Sequence, residues 1–178
     1  ALLAAATGAM HEDGLADFAD GLGGSEAAER LAIMRDNRTG ASGTLALILG
    51  VGLRAAALAE IASPAAAAAA LAAAAAASRG MAAVLPTLLA PARSDGLGAM
   101  LGAPRQESAL GALALAIVLA ILLLPFHAAI SGLVLALVAV LALAELARRQ
   151  LGGFTGDVMG AAQQAAETVM LLVVAAFA

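Results

Sequence analysis

The sequence has no cysteine, tryptophan, tyrosine or lysine, and its 4 aromatic residues are all phenylalanine. Without cysteine it has no disulfide framework, no thiolate metal site and no thiol nucleophile. A formal net charge of −4 and 2% aromatic residues provide neither a basic stripe nor a stacking platform, which excludes nucleic acid as a partner. Charge of either sign is scarce: 12% of the 178 residues are charged and 63% are hydrophobic, against about a quarter and about half in soluble domains. With a mean hydropathy of +0.98, the chain has the composition of a membrane protein.

What is present is long apolar runs. A transmembrane helix needs about 20 mostly apolar residues, and residues 41–63, 65–90, 109–124, 126–146 and 158–178 approach that length. Pro64, Pro91, Pro125 and the glycine-containing loops SDGLGAMLGAPRQES and RRQLGGFTGD punctuate them, as helix breakers do. The fold class read from this pattern is all-α, a polytopic transmembrane helix bundle. It forms one integral membrane domain over 1–178: residues 1–10 end an upstream helix, 11–40 form an acidic cytoplasmic segment, and 41–178 hold the spans with cytoplasmic loops 91–108 and 148–157. The opening ALLAAATGAM lacks a basic region and is too short to span, so it reads as a helix tail rather than a signal peptide, with the natural N-terminus expected upstream. The alanine-rich tract 65–77 is a strong helix former whose small side chains allow close packing.

Counting crossings places 11–40, 91–108 and 148–157 on one face. Arg30, Arg35, Arg38, Arg93, Arg105, Arg148 and Arg149 all fall there, and the positive-inside rule makes that face cytoplasmic. Arg54 and Arg79 fall inside apolar stretches, where each costs roughly 2.5–3.5 kcal/mol on insertion scales and needs a partner or a wet cavity. Glu60 and Glu167 are the available partners for Arg79. His127, beside the far-side turn, reads as interfacial.

The segment HEDGLADFADG gathers acid. On a helix Asp13, Asp17 and Asp20 fall within roughly 60° of one another, and their repulsion calls for a cation unless solvent alone accommodates it. Oxygen ligands without cysteine favour magnesium, manganese or calcium. Ser25 is placed to cap a second short helix carrying Glu26 and Glu29 in its first turns. Arg35, Asp36 and Arg38 follow just before a crossing, and guanidinium forks suit phosphate oxygens, although single arginines there also serve as membrane anchors. Asp157 opens the last span, which carries Gln163, Gln164 and Glu167 in its near half, and intramembrane polar groups mark function or interhelical hydrogen bonding.

HEDGLADFADGLGG, followed by RLAIMRDNRTGASGTLALIL and closing with LGGFTGDVMGAA, resembles the cobalamin synthase family, the adenosylcobinamide-GDP ribazoletransferases. The resemblance runs from about Thr7 to the last span and leaves the family's N-terminal part unmatched. It implies an enzyme of the bacterial inner (plasma) membrane with a cytoplasmic active-site face. It also implies a Mg2+-dependent reaction in which a hydroxyl of α-ribazole, or of its 5′-phosphate, attacks the cobinamide-linked phosphate of adenosylcobinamide-GDP and GMP leaves. Carried onto this chain, Asp13, Asp17 and Asp20 are the expected metal ligands, and Asp36 or Asp157 completes the shell or acts as base, with His11 a further base. Arg35, Arg38 and Arg79 are the expected phosphate arms. Asp13, Gly14, Ala16, Asp17 and Asp20 are also similar to the aspartate cluster of the CDP-alcohol phosphotransferases, but Leu15-Ala16-Asp17 departs from that family's D-G-x-x-A-R signature. The rival class is a transporter or channel, because Arg54, Glu60, Arg79 and Glu167 are intramembrane charges. Homo-oligomerisation is left open.

Overall fold

The computed structural model describes residues 2–96, 102 and 104–178. Its helices, in chain order, are α1 (Leu2–Ala6), α2 (Met10–Gly21), α3 (Ala27–Ile33), α4 (Ala41–Glu60), α5 (Pro64–Ala82), α6 (Leu85–Leu88), α7 (Gln106–Leu123), α8 (Phe126–Leu151) and α9 (Gly156–Ala176). Five helical stretches are long and apolar enough to cross a membrane: α4, α5 with α6, α7, α8 and α9. The chain is a multi-pass, all-α membrane protein, as its apolar runs imply. Among the described residues the one extended pairing is an isolated parallel bridge between Pro91 and Phe154.

Local chemistry sets the helix ends. Pro64 occupies the first turn of α5 and the Ser63 hydroxyl accepts from the Ala66 N–H at 3.1 Å, a side-chain cap with proline where its missing N–H costs nothing. Gly152, at φ 80°, stops α8 after Arg148 and Arg149, so the loop before α9 is shorter than 148–157. The first loop likewise gives way to α7 at Gln106; its residues 97–101 and 103 lie outside the described residues. Ser25 does not cap α3. The N-cap is Glu26, and the Ser25 N–H and hydroxyl both donate to Glu29 Oε2, at 2.7 and 2.6 Å. The helix begins one residue late for a serine cap, and only the reciprocal half of a capping box forms.

α9 is the most buried of the spans and packs against α2, α4, α5 and α8. The alanine-rich helix supplies the complementary surface: Ala70, Ala73, Ala74 and Ala77 are completely buried, a stripe at i, i+3, i+4 and i+7 whose short side chains let backbones approach. At the far side His127 meets Phe177 edge-on, with ring centroids 4.8 Å apart. At the near side α2 and the loops between spans gather over the ends of α4 and α9, and there the polar residues concentrate.

Candidate active site

The site forms where α2 crosses the start of α9. A Cβ on Gly14 would stand 3.0 Å from both the Cα and the carbonyl oxygen of Asp157, and one on Gly160 would stand 3.1 Å from the His11 carbonyl oxygen. Backbone therefore meets backbone. The crossing puts Asp13 and Asp17 within electrostatic reach of Asp157 in the first turn of α9. Among the described residues neither the Asp13 nor the Asp17 carboxylate makes a hydrogen bond or ion pair. Burial, then repulsion from Asp13, Asp157 and Asp20, pushes the Asp17 carboxyl up to about 6, because an anion crowded by anions resists ionisation.

Asp157 is better supplied. The Thr155 hydroxyl, which also caps α9, donates to Asp157 Oδ2 at 3.2 Å, and Arg93 Nη2 lies 3.4 Å from the same oxygen. Arg93 is brought there by loop pairing: the Ala92 N–H donates to the Phe154 carbonyl at 2.8 Å and the Phe154 N–H to the Ala90 carbonyl at 2.9 Å. Gly153 permits the pairing, since any side chain there would run into the Ala90 carbonyl. Sequence reasoning counted Arg93 only as a topological charge. The signal it held was a pair of short loops, APAR and GGFTGD, expected on one face.

Asp20 points elsewhere from its two neighbours on the acidic stripe. Its Oδ2 accepts from the Gly40 N–H at 2.6 Å and its Oδ1 from the Gly43 N–H at 2.8 Å, so it caps the N-terminus of α4 from a distance, where the helix dipole favours an anion. Arg38 and Asp36 form an exposed pair at 2.6 Å. The hydrogen-bonded guanidinium holds the Asp36 carboxyl down at about 2. Arg35 Nη2 reaches Asp95 Oδ1 at 2.5 Å. Among the described residues Arg35, Arg38 and Asp36 make no hydrogen bond or ion pair to Asp157; Arg35 is linked to it only through Asp95 and Arg93.

A second polar layer lies deeper, inside the bundle. Glu167, almost fully buried, receives Arg54 Nη1 on Oε1 at 3.2 Å and Arg79 Nη1 on Oε2 at 3.3 Å. Buried Gln163 donates to Glu167 Oε2 at 2.7 Å and is itself 2.9 Å from the Ser78 hydroxyl. Glu12, on the side of α2 away from the acidic stripe, lies 3.8 Å from Arg54. Both intramembrane arginines thus share Glu167, one of the two partners open to Arg79. His11 sits beside this layer, where burial and the Arg79 charge lower its pKa, so the imidazole is neutral at neutral pH.

A family model described as cobalamin-5-phosphate synthase matches residues 1–175. An adenosylcobinamide-GDP ribazoletransferase of Bradyrhizobium diazoefficiens is 51% identical over 172 residues, covering 96% of this chain and 66% of that protein. Those of Mesorhizobium japonicum and Xanthobacter autotrophicus are 46% and 49% identical, covering 94% and 96% of this chain and 65% and 68% of their own lengths. The chain therefore spans about two thirds of these relatives. No solved structure matches it.

Proposed function

The chain belongs to the cobalamin-5-phosphate synthase family, and from that premise we propose that it carries the active site of an enzyme joining adenosylcobinamide-GDP to α-ribazole, or to α-ribazole 5′-phosphate, with release of GMP. The observation that carries the reading is the pair of carboxylates without a hydrogen bond or ion pair, Asp13 and Asp17, set beside an aspartate that already holds an arginine. Phosphoryl transfer asks little of a protein beyond positioning and charge neutralisation, and these groups supply the means.

Mg2+ is the proposed cofactor, and the donor chemistry fits it: carboxylate oxygens, no sulfur, and an Asp17 whose ionisation is resisted until a cation arrives. Among the described residues no three acidic or histidine side chains already converge on one point, so the ligands Asp13, Asp17 and Asp157 would draw together on binding. Held there, such an ion would supply charge neutralisation for a diphosphate. Asp20 belongs to the proposed set only through its position on α2, since both its oxygens serve the α4 amides.

The remaining steps use the chain's own groups. The ribazole hydroxyl oxygen forms a bond to the cobinamide-linked phosphorus, the bridging P–O bond breaks toward GMP, and the hydroxyl proton passes to a carboxylate. Asp157, whose Oδ2 is held by Thr155 and Arg93, is the proposed acceptor when Asp13 and Asp17 alone hold the ion. Asp36, at about 2, is a weak base near neutral pH, and neutral His11 faces the deeper layer. Arg35 and Arg38 are solvent-facing arms for phosphate oxygens, whereas Arg79 is engaged with Glu167. The arginine-rich near face supports a cytoplasmic orientation in a bacterial inner membrane.

The test is to incubate membranes containing the full-length protein with adenosylcobinamide-GDP, α-ribazole and Mg2+ and to assay GMP. Metal-dependent GMP is expected. Movement of the corrinoid across the membrane without GMP would favour a transporter, a reading weakened by the pairing of Arg54 and Arg79 with Glu167.

A further inference from the structure

We propose that Arg35 and Arg93 form an anion-binding subsite for a phosphate group, which the Asp95 carboxylate fills until that anion displaces it. The identification of the anion with the substrate's diphosphate rests on the function proposed above; the subsite itself does not.

One oxygen, Asp95 Oδ1, faces both guanidinium groups, 2.5 Å from Arg35 Nη2 and 3.9 Å from Arg93 Nε. The two arginines come from different parts of the near face, one just after α3 and the other from the loop paired with Phe154. Asp95 and Arg35 are largely solvent-exposed, so their contact is screened and weak, and an entering anion displaces it at little cost. Arg93 differs: its side chain is mostly buried, Asp157 holds it at Nη2, and its Nη1 is buried without an acceptor. A buried guanidinium donor left unpaired is unfavourable, and a carboxylate at 3.9 Å from Nε does not relieve it. A phosphate carries more charge and more acceptor oxygens than the aspartate and suits two guanidinium forks better. Asp157 would keep Arg93 aimed while the anion replaces Asp95, which places the anion next to the proposed metal ligands.

The decisive measurement is calorimetric titration of inorganic pyrophosphate, without divalent cation, into the full-length protein in lipid nanodiscs. Removing the internal competitor in Asp95→Asn is expected to tighten binding about three- to tenfold, the scale of one or two exposed ion pairs. Arg35→Gln and Arg93→Gln are each expected to weaken it about tenfold, the scale of a charge-assisted hydrogen bond. Adding Asp95→Asn to the Arg35→Gln/Arg93→Gln background is expected to change nothing. Unchanged or weaker binding by both Asp95→Asn and Asp95→Ala, with their thermal midpoints intact, overturns the proposal, as does tightening that persists in the double arginine variant. If this pattern holds but no GMP forms, the enzymatic reading fails and the subsite stands. If GMP forms but Asp95 is indifferent, the subsite alone fails.

Discussion

Gly14→Ala tests whether the α2–α9 crossing builds the site. The added Cβ would lie 3.0 Å from the Cα and carbonyl oxygen of Asp157 and 3.3 Å from the Gly160 Cα. All three are backbone or main-chain atoms that cannot rotate aside, so α2 must retreat by several tenths of an ångström. Overpacking of this kind costs about 1–3 kcal/mol, while replacing a helical glycine by alanine returns about 1 kcal/mol. The net change in stability is therefore small, roughly 0–2 kcal/mol by those two figures. The consequence for chemistry is larger, because Asp13 and Asp17 move with α2 while Asp157 stays on α9. Displacing the supports of a metal site costs about 10- to 100-fold. The assay is Mg2+ dependence of GMP release by the full-length protein, with thermal unfolding in parallel. Half-saturating Mg2+ is expected to rise by that factor, with little loss of folded protein. Gly52→Ala and Gly111→Ala serve as controls, since a Cβ there meets nothing within 4 Å, and both should be neutral or slightly stabilising. If Gly14→Ala retains the normal Mg2+ requirement and turnover, the close crossing does not position the carboxylates.

Glu167→Gln leaves Arg54 and Arg79 without their shared carboxylate inside the bundle; breaking a buried pair costs about 3–5 kcal/mol, and a lower thermal midpoint should show it, with Arg54→Gln in the same chain recovering part of the loss. Asp20→Ala removes the cap from the Gly40 and Gly43 amides and should cost about 0.5–2 kcal/mol, read by thermal unfolding, with Asp20→Asn losing less. Acidification through about 6 protonates Asp17, so divalent-cation affinity should fall as pH drops through that value. The sign for metal-free stability is opposite: with its folded pKa raised from 3.8 to about 6, Asp17 opposes folding when ionised, and the penalty lessens as pH falls through about 6. Asp17→Asn should flatten the stability dependence and remove the cation uptake itself.

The spans were legible because apolar runs of membrane length were cut by Pro64, Pro125 and the glycine loop ending at Gly153, signals that act within a few residues. The acidic helix was legible for the same reason, since Asp13, Asp17 and Asp20 recur at helical spacing. What each acid faces was not. Asp20 meets amides at Gly40 and Gly43, and Asp13 and Asp17 approach Asp157 only because glycine at 14 and 160 lets two distant helices touch. A helical wheel shows which side a residue takes but not which neighbour it finds there. Arg79 inside an apolar run announced a need for a partner, and Glu167 was one of two open to it. Arg93 gave no comparable warning, because its environment is made by hydrogen bonds between Ala90, Ala92 and Phe154, a pairing invisible to periodicity.

Asp13 and Asp17, together with Asp157, are the groups proposed to take up a divalent cation. Titration of Mn2+ into the purified full-length protein near neutral pH, followed by the loss of the free-ion electron paramagnetic resonance signal, tests it most directly. Saturable uptake that is abolished by Asp17→Asn, with membrane insertion unchanged and GMP release lost, is the result expected. Equal uptake by the wild-type and Asp17→Asn proteins, or no uptake by either, would contradict it.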